Sequence, residues 1–510
     1  MTAPAVPAPP PANPGAATPA RSRPGTRRNT ELGLLVFALA LVGAFGAATE
    51  AGLLGEITFG FVSPLAVLAA LFFVAHLVIR WLAPYADPIL LPAVALINGL
   101  GVMFLRRLDL WQQFKATKND PDWCASAADV GSHQLIWTAV GIVGAIALLW
   151  IVRDHRTLSR YAYTLGLAGI VLVLIPGVLP ARYSQVNGAK LWIRFGGFQI
   201  QPGEFAKLAL LTFFAYYLVR KREVLSLASK RFLGIDFPRG RDLGPVVTVW
   251  LLSLMVLVLE KDLGTSLLYF GLFVVTLYIA TERVSWLIIG LLLFIGGASL
   301  AYVLGGTLGG PFANFHLRVD IWLDPFSQQP GNDGNPIVIG NGYQLVQSLL
   351  GLGTGGLFGA GPGAGSPQQV PEVCTDFIFA GMGEELGLFG LTAILVVYLL
   401  VIERGLRAAI GVRDSFGKLF AGGLAFTLGL QIFVIVGGVT KLIPLTGQTT
   451  PFLSAGGSSL VANWLLVALL LRISDAARRP ADGSGPARPG GPAAAGGPAK
   501  LQELPTEMIK

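Results

Sequence analysis

Asp376 lies in Pro371-Glu372-Val373-Cys374-Thr375-Asp376-Phe377-Ile378-Phe379-Ala380, where a long polar loop gives way to an apolar run. A carboxylate at such a boundary is costly to desolvate unless water or a partner attends it, and it can take a proton as a general base. Gln201-Pro202-Gly203-Glu204-Phe205-Ala206-Lys207 opens another apolar run. Glu204 and Lys207 stand at i and i+3, so they share a helix face. They read either as a structural ion pair or as a phosphate anchor, Lys207, with Glu204 as its positioner. Upstream, Lys190 and Arg194 flank Trp192, which interfacial anchoring alone would explain. Arg194 can grip a phosphate with two parallel bonds and Lys190 can act as a point charge. Glu260-Lys261-Asp262 forms a charged corner, and Arg318-Val319-Asp320-Ile321-Trp322-Leu323-Asp324-Pro325 adds charge in the long loop. Glu384 and Glu385 follow Asp376 within an apolar run, pointing about 100° apart, so at least one faces a bundle interior or a watery cavity. The four histidines form no metal constellation, and there is no nucleophile elbow, Walker sequence or zinc spacing.

The elements that position these residues are set by composition. The chain has 510 residues, 53% hydrophobic and 13% charged, which excludes an ordinary soluble domain. Apolar runs recur, each long enough to cross a hydrocarbon core of roughly 30 Å, and lipid forces them to be helices. Twelve candidate spans are expected, near 32–52, 62–83, 88–105, 134–152, 161–179, 204–220, 244–260, 264–280, 284–304, 376–401, 417–440 and 455–473. The formal charge of +8 comes from basic loops rather than a nucleic-acid surface. Those loops alternate so that both termini fall on the cytoplasmic side by the positive-inside rule, which places Asp376 outside. The first run could pass for a signal peptide, but removing it would spoil that alternation.

The expected organisation is a disordered cytoplasmic tail at 1–28, two spans within 29–86, a membrane core at 87–475, and a second disordered tail at 476–510. The core includes an extracytoplasmic loop, residues 305–375, far beyond ordinary connection length. Within it, Tyr343 to Phe358 is apolar but too short to span, which suits an interfacial or re-entrant element lining a cavity. The following Gly359-Ala360-Gly361-Pro362-Gly363-Ala364-Gly365 lacks the strand and lysine of a nucleotide loop and reads as a connector allowing close backbone approach. The only two cysteines, Cys124 and Cys374, both map outside, where an oxidising compartment would let them pair.

Taken in order, Asn187-Gly188-Ala189-Lys190-Leu191-Trp192-Ile193, the Gln201 to Lys207 block, Asp262-Leu263-Gly264-Thr265 and Gly342-Tyr343-Gln344 with Gln347-Ser348 carry a resemblance. Thr375-Asp376-Phe377-Ile378-Phe379-Ala380, Glu384-Glu385-Leu386-Gly387 and Ile443-Pro444-Leu445-Thr446-Gly447 through Pro451-Phe452-Leu453-Ser454-Ala455-Gly456-Gly457-Ser458-Ser459 complete it. The chain resembles the SEDS family of bacterial shape, elongation, division and sporulation proteins, the RodA branch more than the FtsW branch. Two departures are that Cys374 stands where that family often has histidine, and Ala455 where it commonly has tyrosine.

The resemblance implies an all-α polytopic fold with a ten-span core, so the first two spans are an addition like that of actinobacterial RodA. It implies a peptidoglycan glycosyltransferase of the plasma membrane that polymerises lipid II onto a growing glycan strand for elongation. Asp376 would be the essential acidic residue, acting as general base. Lys207, Glu204, Arg194, Lys190, Asp262, Gln347 and Ser348 would contact substrate, with Glu384, Glu385 and Thr375 in support. Departure of undecaprenyl pyrophosphate leaves the need for a metal open, a divalent cation such as Mg or Mn being one way to assist it, and the resemblance implies a class B penicillin-binding protein as partner. The alternatives are a lipid II flippase and a non-catalytic scaffold for that partner.

Overall fold

A computed structural model describes residues 27–115, 129–186, 189–195, 198–226, 228–232, 235–238, 244–260, 262–326 and 342–480. Residues 1–26 of the expected tail 1–28, residues 481–510 of the expected tail 476–510, and Cys124 lie outside the described residues, whereas Arg28 and residues 476–478 belong to the first and last helices rather than to disordered tails. Gly25–Arg478 is one compact unit.

The chain runs through α1 (Arg28–Leu54), α2 (Val62–Leu82), α3 (Leu90–Phe114), α4 (Val130–Ile151), a single turn α5 (Thr157–Arg160) and α6 (Ala162–Val178). After the turn α7 (Ala181–Ser184) come two short antiparallel hairpins. These are β1 (Gln185–Val186) with β2 (Ala189–Lys190), and β3 (Ile193–Phe195) with β4 (Phe198–Ile200). Then follow α8 (Pro202–Ser226), the hairpin β5 (Ala228–Phe232) and β6 (Ile235–Pro238), α9 (Gly244–Glu260), α10 (Leu263–Thr281) and α11 (Val284–Leu308). The short α12 (Ala313–Leu323) and α13 (Tyr343–Gly355) precede α14 (Ile378–Gly411), α15 (Ser415–Val439) and α16 (Gly457–Arg478).

Every one of the expected spans coincides with a helix. Nine helices among the described residues are long and apolar enough to cross a membrane, and α6 and α9 are shorter apolar helices. Inner and outer helices differ sharply. The apolar window of α3 is 83% buried inside the protein and that of α11 only 17%. Large apolar side chains such as Phe37, Phe73, Val143, Leu292 and Val303 are exposed, a surface that water would not tolerate and lipid satisfies. The chain is an all-α polytopic membrane protein.

The added helices are fastened at both ends. At one end Arg28, Glu31 and His76 are all buried; Arg28 pairs with Glu31 and donates to the Ala86 carbonyl, while His76 Nδ1 lies 2.7 Å from Glu31 Oε1. At the other end Arg106 of α3 meets buried Glu50 of α1 at 2.9 Å. Each charge has a partner, which burial demands.

The span beginning at Ile378 is broken at Gly387, whose φ of 66° and ψ of −174° no helix accommodates. The glycine segment after α13 threads into the break. Ala360 and Gly361 donate to the carbonyls of Glu384 and Glu385 at 2.9 and 3.0 Å, and Leu388 and Phe389 donate to those of Gly356 and Leu357 at 2.9 and 3.1 Å. Backbone groups freed by the break are thus satisfied by backbone. A Cβ at residue 387 would sit 2.3 Å from the Gly359 nitrogen, so only glycine permits the approach. The sequence-based reading of a connector that allows close backbone approach matches this geometry.

Candidate active site

Asp376 sits in a tight turn just before α14 and is half-buried. Thr375 and Phe377 both donate their N–H groups to the Glu372 carbonyl, at 3.0 and 3.2 Å, and the Thr375 hydroxyl reaches the Glu372 carboxylate at 3.1 Å. The turn is sewn to the loop after α15. Ala455 donates to the Cys374 carbonyl at 2.8 Å, and the buried Ser454 hydroxyl donates to the Thr375 carbonyl while accepting from Thr450 N–H at 2.9 Å. Cys374 is buried and disulfide-bonded; Cys124 cannot be placed, being outside the described residues.

On the opposing side, α12 lies against the same loop. Trp322 Nε1 donates to the Lys441 carbonyl at 3.1 Å and Arg318 Nη1 to the Leu445 carbonyl at 3.0 Å. The guanidinium therefore faces Asp376 across Gly447. A Cβ on Gly447 would stand 3.3 Å from Arg318 Nη2 and 3.6 Å from Asp376 Oδ2, and its φ of 72° also favours glycine. Among the described residues no ion pair closes this gap.

The electrostatics follow. Burial first, then the Glu372 charge, raises Asp376 to about 7; Arg318 opposes the rise and Asp262 adds to it. Such a carboxyl exchanges its proton near neutrality, which is what a general base needs. Asp262 caps α10, accepting from Gly264 and Thr265 N–H at 3.1 and 3.0 Å and from the Thr265 hydroxyl. Both of its oxygens are thereby engaged within its own turn.

The other expected residues are distributed more widely. Lys207, 2% exposed, directs Nζ to Glu204 at 2.7 Å, Gln431 at 3.1 Å and Asn463 at 3.4 Å, tying α8 to α15 and α16. Its three protons meet three protein acceptors. Lys190 is half-buried in β2 and Arg194 exposed in β3. Ser348 is buried, its hydroxyl donating to the Val439 carbonyl at 3.2 Å; Gln347 beside it is half-buried. Glu384 accepts from Ser366 N–H at 2.7 Å. Glu385 pairs with fully buried Arg107 at 2.6 Å, whose other nitrogens reach Gln368 Oε1 at 3.0 Å and the Gly365 carbonyl at 2.6 Å. Both glutamates thus hold the half-helix after Asp376 against the 365–368 segment. Arg318, Gly447 and Ser454 are not among the site residues expected from sequence; the available signal for Arg318 is its place in the charged Arg318 to Pro325 segment of the long loop. Among the described residues no group of three or more His, Cys, Asp or Glu could hold a metal ion.

A small apolar pocket of about 40 Å³ opens between α9, α10, α11 and α12, lined by Trp250, Leu254, Leu263, Phe270, Phe294 and Phe315 among others. Leu263 adjoins Asp262, and Phe315 lies one turn before Arg318. The pocket and the charged gap therefore share α12.

Fold and site define a polytopic helical membrane protein with one carboxylate poised at the rim of its bundle. A family model described as cell cycle protein, covering FtsW, RodA and SpoVE, matches residues 88–479, and the chain belongs to that family. Peptidoglycan glycosyltransferase RodA of Mycobacterium tuberculosis is 49% identical over 89% of this chain and 92% of that protein. Its Mycobacterium leprae counterpart is 48% identical over the same shares, and stage V sporulation protein E of Bacillus subtilis is 33% identical over 68% of this chain and 87% of that one. The mycobacterial matches span 455 residues, so they extend into the added helices before residue 88. A solved structure titled for the coordination of polymerisation and crosslinking by a peptidoglycan synthase complex matches with a TM-score of 0.55 and 25% identity, over 76% of this chain and 97% of that one. A Thermus thermophilus rod shape determining protein RodA variant shares the fold, with a TM-score of 0.50 and 24% identity over 76% and 97% of the two chains.

Proposed function

We propose that this protein is a peptidoglycan glycosyltransferase that polymerises lipid II into β-1,4-linked glycan at the outer face of the plasma membrane, with Asp376 as general base. Its curated relatives bear that activity in their names, and the single observation that carries the assignment to a residue is Asp376, half-buried at the rim and held near neutral pH. In the reaction, the acceptor 4-hydroxyl oxygen forms a bond to the donor anomeric carbon. Its proton passes to the Asp376 carboxylate, and the anomeric carbon–oxygen bond breaks with its electron pair leaving on the lipid pyrophosphate. An α-linked donor gives a β-linkage in this one displacement, so no second, nucleophilic carboxylate is needed. A hydroxyl is a weak nucleophile, and a base of this pKa within hydrogen-bond reach offsets that.

The small apolar pocket beside Asp262 accords with a lipid-linked substrate, since it offers apolar side chains next to the charged gap. The orientation rests on the basic loops, which put both termini in the cytoplasm and Asp376 outside. Mg or Mn would add charge beside the pyrophosphate. The described residues offer it no three-ligand cluster, so no step is routed through it. A class B penicillin-binding protein as partner accords with the peptidoglycan synthase complex named for a structural relative.

Against a flippase stands the break in α14, whose freed polar groups are filled by the protein's own glycine backbone rather than lining a cargo site. The deciding experiment incubates purified lipid II with the native protein and with Asp376→Ala, alone and with the partner, beside a reconstituted flipping assay. Glycan chains from the native protein and none from the variant are expected. Normal polymerisation by the variant overturns the role of Asp376, and flipping without polymerisation overturns the enzyme.

A further inference from the structure

We propose that Arg318, rather than Lys207 or Arg194, is the cation that receives the pyrophosphate leaving group, with Gly447 keeping open the space in which it is received. The inference rests on the glycosyltransferase reading and names the group that meets its departing charge.

A leaving pyrophosphate needs pre-placed donors that are not already committed. Lys207 fails this requirement, because it is buried and each of its protons faces a protein acceptor within 3.4 Å. Freeing it would strand Glu204 in an apolar bundle. Arg194 is exposed on a separate hairpin, in register with Gln199. Arg318 satisfies the requirement. It spends one bond, Nη1 to the Leu445 carbonyl, which fixes the plane of the guanidinium and leaves Nη2 directed at the gap. The position that a Cβ on Gly447 would occupy is 3.3 Å from that nitrogen and 3.6 Å from Asp376 Oδ2, so one space borders both the cation and the base.

The arrangement divides the labour between the two groups. A proton is taken on the Asp376 side while negative charge grows on the Arg318 side, so each step assists the other. Asp262 and Glu372 hold net negative charge around the pair, and Arg318 is the cation that offsets it for Asp376. Phe315, one turn before Arg318 on the same helix, lines a small apolar pocket, so apolar side chains adjoin the cation where a chain attached to the pyrophosphate would begin.

The test is binding of farnesyl pyrophosphate to the purified full-length protein in nanodiscs, with farnesyl monophosphate and farnesol as controls. It needs no glycosyl transfer. Arg318→Gln should weaken pyrophosphate binding at least tenfold and leave farnesol unchanged, while Arg318→Lys, which keeps charge without the planar fork, should fall between. Gly447→Ala should also weaken it. Arg194→Gln should bind within twofold of the native protein. Thermal unfolding of each variant identifies any that has not folded, and Arg318→Lys keeps the question answerable if Arg318→Gln is lost. Native-like pyrophosphate affinity in both Arg318 variants overturns the inference, as does a tenfold loss in Arg194→Gln. Failure of the native protein to polymerise lipid II is a different result, which overturns the reaction assigned above.

Discussion

The hydroxyl of Ser454 donates to the carbonyl of Thr375, so a buried side chain from the last extramembrane loop fixes the residue preceding Asp376. The same oxygen accepts from Thr450 N–H at 2.9 Å, which joins the Asp376 turn and the Gly447 loop at one point. Ser454→Ala leaves the buried Thr450 N–H and the half-buried Thr375 carbonyl without this partner, at a cost of about 1–3 kcal/mol. We expect its turnover on lipid II to fall at least tenfold while it still folds and inserts. Native turnover in that variant would show that the turn holds Asp376 unaided.

With Asp376 at about 7, the base is half protonated at neutral pH. The polymerisation rate at limiting lipid II should rise about tenfold per pH unit below that value and level off above it. Glu372→Gln removes a like charge and should move the midpoint down. A profile that stays flat down to pH ~5 would remove Asp376 as the base.

The same shift has a stability sign. The folded carboxyl binds its proton more tightly than the unfolded one, whose pKa is ~3.9. Its contribution is therefore fully present below about that pH and is lost as pH rises through about 7. Asp376→Asn should melt higher than the native protein at pH ~8 and make no glycan. A lower melting temperature would contradict the desolvation that sets this carboxyl.

Lys207→Met should destabilise the bundle by about 3–5 kcal/mol, because it leaves Glu204 charged and buried. Adding Glu204→Gln should recover much of that loss, read as melting temperature in detergent. If the single variant instead keeps native stability and loses only substrate affinity, Lys207 is a substrate contact after all.

Arg107→Met strands Glu385 in the same way and loosens the half-helix that follows Asp376 from the 365–368 segment. A loss of about 3–5 kcal/mol is expected. Gly387→Ala should be severe for another reason, since its Cβ would lie 2.3 Å from backbone. Insertion and yield after purification report both; native yield in Gly387→Ala would mean the break can close.

The membrane spans were legible because lipid leaves a chain few choices. A run of apolar residues such as Val284–Leu308 must become a helix whatever surrounds it, and basic loops such as that near Arg404 set an expected side. Asp376 was legible for the same reason, as a charge where charge is costly, and resemblance supplied its reaction. The meeting of Arg318 with Asp376 was not, because they lie on different elements joined only by how α12 seats on the loop after α15. Nor could spacing decide Lys207. The i, i+3 pairing with Glu204 was visible, whereas Gln431 and Asn463 close its remaining bonds from two other helices. The sequence by itself determined which segments enter the bilayer and which acid stands at its rim, since both follow from local transfer energies. Only the tertiary structure decided which cation faces that acid and which is already spent, because a side chain's unspent hydrogen bonds depend on neighbours far away in the chain.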